Sequence, residues 1–376
     1  MNFINNIYHN LKNTSHSLAK IDINYSANEP FNQSLLMKDD EFFPTEIKHS
    51  IIKQLKNIYR YDAVINEKNI TVIFHVFNTN DDNKKLLDKY SRIVFFIIYF
   101  LNLYTEKRCS KELNINIYLT HFKKKMPKSN NTIGPINVNT GFSYSGCREK
   151  SSITIYRKEE WQKVLIHELF HNFDLDFSTK YIDPWREKMR SIFNINCEYL
   201  FYESYCETWA RILLSIFVSY SSTNRKDSFI THFKKQIKKE IKFSITQGKK
   251  IYDLIYHSKN PYREKSNALC YYVFTAALMN NYMNFINWNI QNSIDSNNII
   301  KFDDHNFTET ERKNKIESFF NLIVHEYHAT NFINKMEKGF KTGKTRKTRK
   351  TRKTRKENKH SPNTLRMSIS VIKQIE

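Results

Sequence analysis

The apolar positions of this chain change their spacing as the sequence proceeds. NITVIFHVF (69–77) runs β-branched and aromatic residues together in the manner of a strand. NINIYLT (114–120) and SSITIYR (151–157) read the same way, and INVNTGFSY (136–144), behind a Gly-Pro turn signal, predicts a further strand. PTEIKHSIIKQLKNI, from Pro44, has helical spacing with Thr45 as the expected N-cap. DDNKKLLDKYSRIVFFIIYFLNLY (81–104) opens with aspartates and predicts a long helix, and 158–173 has the composition of another. Strand, helix, three strands and helix is an α+β order.

Beyond residue 180 the pattern is helical almost throughout, with helices predicted near 186–193, 199–218, 227–256, 265–288 and 311–335. The two ends lack such patterning. Residues 1–40 are polar and predict a loosely held extension. The Lys-Thr-Arg repeat of 344–356 cannot bury a core and is expected to be disordered. The expected organisation is an N-terminal extension (1–60), a mixed sheet-and-helix subdomain (61–178), a helical subdomain (179–336) and a disordered basic tail (337–376).

Composition changes this picture little. With 376 residues, 40% hydrophobic and 14% aromatic, the chain can bury a core. The formal charge of +22 suggests a polyanion partner until it is located: residues 341–360 carry a net +10, leaving +12 spread over the rest. That tail would bind nucleic acid or another polyanion without sequence preference, and lacks the aromatic residues that base stacking needs. Runs of this kind also act as nuclear import signals. Five cysteines (Cys109, Cys147, Cys197, Cys206, Cys270) show no close pairing, and the opening lacks a signal-peptide pattern. Reduced thiols in the cytoplasm or nucleus are therefore expected. The longest apolar run, IVFFIIYFL (93–101), is about half of what a membrane span needs, so none is expected.

The candidate chemistry lies in VLIHELFHNFDLDF (164–177). His167 and His171 are four apart, on one helix face, where both imidazoles reach a single ion; Glu168, rotated by about 100°, suits a base beside it. Zn2+ accepts such ligands. Three ionisable groups in so apolar a helix are expensive to bury without an ion, the plainer alternative being two hydrogen-bonded core histidines. HEYH (325–328) has its histidines three apart and is not read as a site. For a third ligand, Asp174 and Asp176 stand just past the motif, where a helix fraying into solvent is the simpler expectation. In ESYCETWARILL (203–214), Glu203 and Glu207 lie four apart on the apolar side of a helix, where like charges repel and need counter-charge. An ion pair with Arg211 is the plain alternative for Glu207.

VLIHELFHNF resembles the extended motif of zincin metallopeptidases, and the preceding strands and backing helix resemble the zincin N-terminal subdomain. There an edge strand lines the substrate cleft, a part that INVNTGFSY would play. A branch with a third ligand soon after the motif needs a glycine where Asp174 stands, and its ligand position is Phe177. ESYCETWARILL is instead similar to the second helix of gluzincins, with Trp209 and Ala210 matching. That resemblance makes Glu203 the third ligand and Glu207 the carboxylate behind a histidine. Cys206 in place of alanine, and Glu rather than Asp or Asn at 207, leave the reverse order open. The stretch from 136 to 213 also resembles uncharacterised metallopeptidases of large DNA viruses, which would place the chain in a virion or infected cell.

The resemblance implies a zincin-like α+β fold and a zinc-dependent peptidase acting on a polypeptide substrate, with Glu168 as general base and acid. It also implies an oxyanion stabiliser downstream, for which Tyr271, Tyr272 and His257 are candidates. Two alternatives stand beside it: an inactive zincin scaffold with a nucleic-acid-associated or virion structural role, and a protease tethered to DNA by its tail.

Overall fold

The structure is a computed structural model that describes residues 2–31, 36, 41–78, 82–128, 132–177, 182–223, 225–293, 298–302, 307–339 and 363–375. Its strands are β1 (Asn24–Ala27), β2 (Asn57–Ile65), β3 (Lys68–Val76), β4 (Glu112–Tyr118), β5 (Gly141–Ser143) and β6 (Lys150–Ile155). They form one mixed sheet in the order β1-β2-β3-β4-β6-β5. β3, β4 and β6 run parallel; β1 and β2 extend one side, and β5 pairs antiparallel with β6 as the opposite edge. The α+β order expected from the sequence is what forms.

Helices α1 (Asn2–Leu18), α2 (Thr45–Gln54), α3 (Lys84–Asn102) and α4 (Trp161–Asn172) accompany the sheet. α3 supplies most of the core on its side, burying the run Ile93–Ile98 completely, and α4 packs against it as well as on β5 and β6. A helical second half follows: α5 (Asp183–Phe193), α6 (Tyr202–Tyr220), α7 (Lys226–Tyr256), a π-helical turn (Leu269–Phe274), α8 (Thr275–Asn280), α9 (Tyr282–Gln291), α10 (Glu309–His328) and α11 (Thr330–Lys338). No helix among the described residues is long and apolar enough to cross a membrane.

The structure corrects the sequence reading in several places. The described part of residues 1–40 is not a loose extension: Ile7, Leu11 and Leu18 form a buried stripe on α1, which packs against α3, and β1 joins the sheet. Asparagines and histidines dilute that stripe, so it did not stand out. β2 was overlooked because its hairpin to β3 turns at Asn66 and Glu67, both at positive φ (48° and 67°), with no glycine to mark the turn. Pro44, not Thr45, precedes α2, and no side chain caps that end. INVNTGFSY is a strand only over Gly141–Ser143, because Pro135–Val138 forms one helical turn. The helix expected over 265–288 is broken at Asn281, and the one over 311–335 breaks at Ala329, whose ψ is 124°.

Two further corrections concern the cysteines and the tail. Cys109 and Cys147 form a disulfide that ties the loop before β4 to the loop after β5, whereas Cys197, Cys206 and Cys270 are free and buried. Close pairing in space did not require close spacing in sequence. The tail is not disordered to its end: within 363–375, Leu365, Met367, Ile372 and Ile375 are buried. The Lys-Thr-Arg repeat and its cations lie outside the described residues.

Candidate metal centre

α4 is buried along its whole length, so the charged groups it carries must be answered by neighbours. It starts from Glu160, which sits at positive φ (68°), a region that non-glycine residues seldom adopt. Its other end does not fray. Asp174 turns at φ 55°, its N–H donates to the carbonyl of His171, and Leu175 and Phe177 return to the core. That turn brings Asp176 back beneath the helix, where its Oδ2 lies 2.6 Å from His171 Nδ1.

α6 packs across α4 and delivers Glu203 and Glu207 from successive turns. Glu203 Oε2 lies 3.1 Å from His167 Nε2 and 3.5 Å from His171 Nε2, and the two Nε2 atoms are 3.3 Å apart. Glu207 approaches His167 from behind, with Oε2 3.3 Å from Nδ1 and 2.6 Å from Lys163 Nζ; its Oε1 is 3.0 Å from Arg211 Nε. The pair with Arg211 and the place behind a histidine, weighed as alternatives for Glu207, therefore occur together. All of these residues are buried.

The hydrogen bond with Asp176 favours a proton on His171 Nδ1, and Glu207, 3.3 Å from His167 Nδ1 without a well-aligned hydrogen bond, favours one there by its charge, which leaves both Nε2 atoms as lone-pair donors. Two such nitrogens and a carboxylate oxygen then converge within 3.5 Å, and Glu203 Oε2 makes no well-aligned hydrogen bond. Converging lone pairs repel unless a cation or extra protons lie among them. Without a cation, protons would have to serve: burial disfavours the imidazolium of His167, but Glu203 and Glu207 outweigh it and raise its pKa. Burial likewise works against the Glu203 carboxylate, yet the two histidines hold it down to about 2. An ion about 2.0–2.1 Å from each ligand, in tetrahedral geometry, needs ligand separations of about 3.3–3.4 Å. The observed spacings bracket that value, so the donor set fits zinc.

Glu168 stands beside this cluster and faces β5: Ser143 Oγ donates to its Oε2 at 2.8 Å. Gly141 lets the strand come this close to α4, since a Cβ there would meet Thr154 O at 2.7 Å and Val164 Cγ1 at 2.9 Å. The loop bearing Cys147 is tied in as well, with Gly146 N–H donating to the carbonyl of His171 at 3.1 Å.

The three downstream candidates separate. Tyr271 puts its ring edge-on to His167, centroids 5.9 Å apart, and lines the cavity beside Glu168. Burial, with Glu203 nearby, raises its pKa well above the usual value, so the phenol keeps its proton as a donor. Tyr272 points elsewhere and donates to the Leu365 carbonyl. His257 is exposed at the end of α7, where it pairs with Glu337 at 3.3 Å. Neither belongs to the centre. In HEYH, His325 is exposed and Glu326 accepts from Asn281 and Asn284.

Sequence reasoning missed two contributors and the role of a third. Asp176 was weighed as a ligand or as frayed helix; it instead holds His171, with Cys206 Sγ 3.4 Å from the same oxygen. That contact gives Cys206 a role at the position where alanine was expected. Ser143 and Lys163 carried no signal beyond their places on the edge strand and motif helix. Comparison with family models, curated proteins and solved structures finds no match for the chain.

Proposed function

We propose that the chain is a zinc-dependent peptidase of zincin type, gluzincin-like in its ligand set. The observation that carries this reading is the triangle of His167 Nε2, His171 Nε2 and Glu203 Oε2, with sides of 3.1, 3.3 and 3.5 Å. Three ligands, rather than four, leave one position for water or substrate, as catalytic zinc sites do. Zinc, when bound, supplies Lewis acidity, bringing water's pKa toward about 7 and polarising a carbonyl.

The chain's own groups divide the remaining work. Asp176 and Glu207 hold the imidazoles at Nδ1 and so aim their Nε2 atoms. Ser143 engages one oxygen of Glu168, fixing the carboxylate toward the cleft. Glu168 takes a proton from the attacking water and delivers it to the leaving amine as the C–N bond breaks. Tyr271, kept as a neutral phenol, donates to the oxygen on which negative charge develops. β5, the sheet edge beside this cluster, offers backbone groups to an extended substrate.

The test is zinc content per chain in the wild type and in His171→Ala, Glu203→Ala and Glu207→Ala, alongside peptide cleavage. One zinc, lost in the first two and weakened in the third, together with cleavage that needs Glu168, supports the reading. A well-folded wild type that takes no zinc on reconstitution would refute it.

A further inference from the structure

The cavity beside His167 and Glu168 is closed on one side by the chain's own C-terminal segment. Its lining includes Val138, Thr140, Val164, Tyr271 and Met367, with the mutually paired Lys163 and Glu207 and the Glu160 partner Lys124 on the same wall, and its volume is about 30 Å³. That holds one or two water-sized groups and no more. Thr140 Oγ1 is buried in this wall without a hydrogen-bond partner.

Met367 comes from a segment fixed by side chains of α4 and its surroundings. Glu160 Oε1 accepts the N–H groups of Met367, at 2.6 Å, and of Ser368. Gln162 grips Ile372 on both sides, accepting its N–H at 2.7 Å and donating to its carbonyl at 3.0 Å. The Met367 Sδ lies 3.4 Å from Lys163 Nζ. Among the described residues, the segment's one backbone bridge joins Thr364 to Lys125, and none involves β5. The segment therefore does not extend the sheet at β5, the last strand in its order, while it walls the cavity next to it.

A peptide extended along β5 turns alternate side chains to opposite faces, so one beside the scissile bond enters this cavity. We infer that Met367 is a specificity-determining residue, walling a subsite that admits glycine, alanine or serine beside the scissile bond. Thr140 Oγ1 favours serine over alanine there, because an incoming hydroxyl gives it a partner. The inference rests on the peptidase reading of the adjacent centre.

The experiment uses full-length zinc-loaded protein and a peptide library varied on both sides of the scissile bond. The wild type should accept only the small residues at one position. Met367→Ala should raise kcat/KM for leucine relative to alanine at that position by about tenfold or more, since one methylene in a pocket is worth at least about that. Thr140→Val, which leaves the C-terminal segment alone, should remove the preference for serine over alanine. An unchanged ranking in both variants overturns the inference, as does a uniform rise in turnover in Met367→Ala, which would make the segment a gate. A zinc-loaded wild type that cleaves no peptide overturns the peptidase reading instead, so the two failures are distinct.

Discussion

Asp176 Oδ2 lies 2.6 Å from His171 Nδ1, held there by a tight turn at Asp174 that returns the chain under the motif helix. The contact favours the tautomer that would present Nε2 to a metal. Carboxylates so placed typically contribute 10–100-fold to metal affinity. Asp176→Ala is therefore expected to weaken zinc by about that factor while leaving the fold intact, and His171→Ala to abolish binding. Competition against a chelator of known affinity measures both. Wild-type affinity in Asp176→Ala would mean that the contact orients nothing.

Glu168→Gln keeps the shape and the hydrogen bond from Ser143 but removes the carboxylate proposed as the base. Zinc content should be unchanged, and turnover should fall by about 10²–10⁴-fold, the usual worth of a positioned acid–base group. Metal analysis and cleavage kinetics on the same preparation read both. Full turnover in this variant would assign the proton transfer elsewhere.

The motif helix, the pair of glutamates on a second helix and the α+β order were legible because each rests on spacing along one element. An i, i+4 pair of histidines and an i, i+4 pair of glutamates name a helix face without knowing what it meets. The order of Glu203 and Glu207 was not legible, since it depends on how α6 crosses α4: the crossing puts Glu203 at the Nε2 atoms and Glu207 at Nδ1. Asp176 and Met367 were hidden for the same kind of reason. One depends on a left-handed turn at an aspartate, and the other stands more than 190 residues beyond the motif. β2 and α1 failed at the level of pattern, the turn after β2 being written in asparagine and glutamate and the stripe of α1 being diluted by asparagines and histidines.

Glu160 shows what holds the C-terminal segment in place. Its buried carboxylate lies 3.0 Å from Lys124 Nζ and collects two backbone N–H groups from the segment. Burial opposes its charge, but Lys124, Arg366 and Lys163 prevail and lower its pKa. Glu160→Ala strands a buried lysine and two N–H donors, and is expected to destabilise the fold by roughly 3–5 kcal/mol. Urea unfolding measures the loss. Glu160→Leu combined with Lys124→Met should cost less than Glu160→Ala, because the buried lysine charge leaves with the carboxylate and only the partly exposed Arg366 loses a partner. An equal or larger loss in the double variant would mean that the segment's N–H groups, and not the charge, set the cost.

His75, away from the metal centre, predicts how stability varies with acidity. Its ring stacks on Tyr118 with centroids 3.9 Å apart, Nε2 lies 3.0 Å from Asn116 Oδ1, and Nδ1 is buried without a partner. Burial pushes its pKa down to about 4, with the Asn116 contact opposing only in part. In the unfolded chain the value is about 6.5. Between these two pH values the unfolded state binds a proton that the folded state refuses, so stability falls as pH drops from about 6.5 to about 4. Above about 6.5 the ring is neutral in both states and the penalty vanishes. A gap of roughly 2.5 pH units corresponds to about 3 kcal/mol across the window. His75→Phe keeps the stacking surface and removes the titration. Unfolding of metal-free protein at pH 4.5 and 7 should then show the variant losing about 2–3 kcal/mol less than wild type on acidification. Parallel losses in the two proteins would show that His75 is protonated as readily when folded as when unfolded.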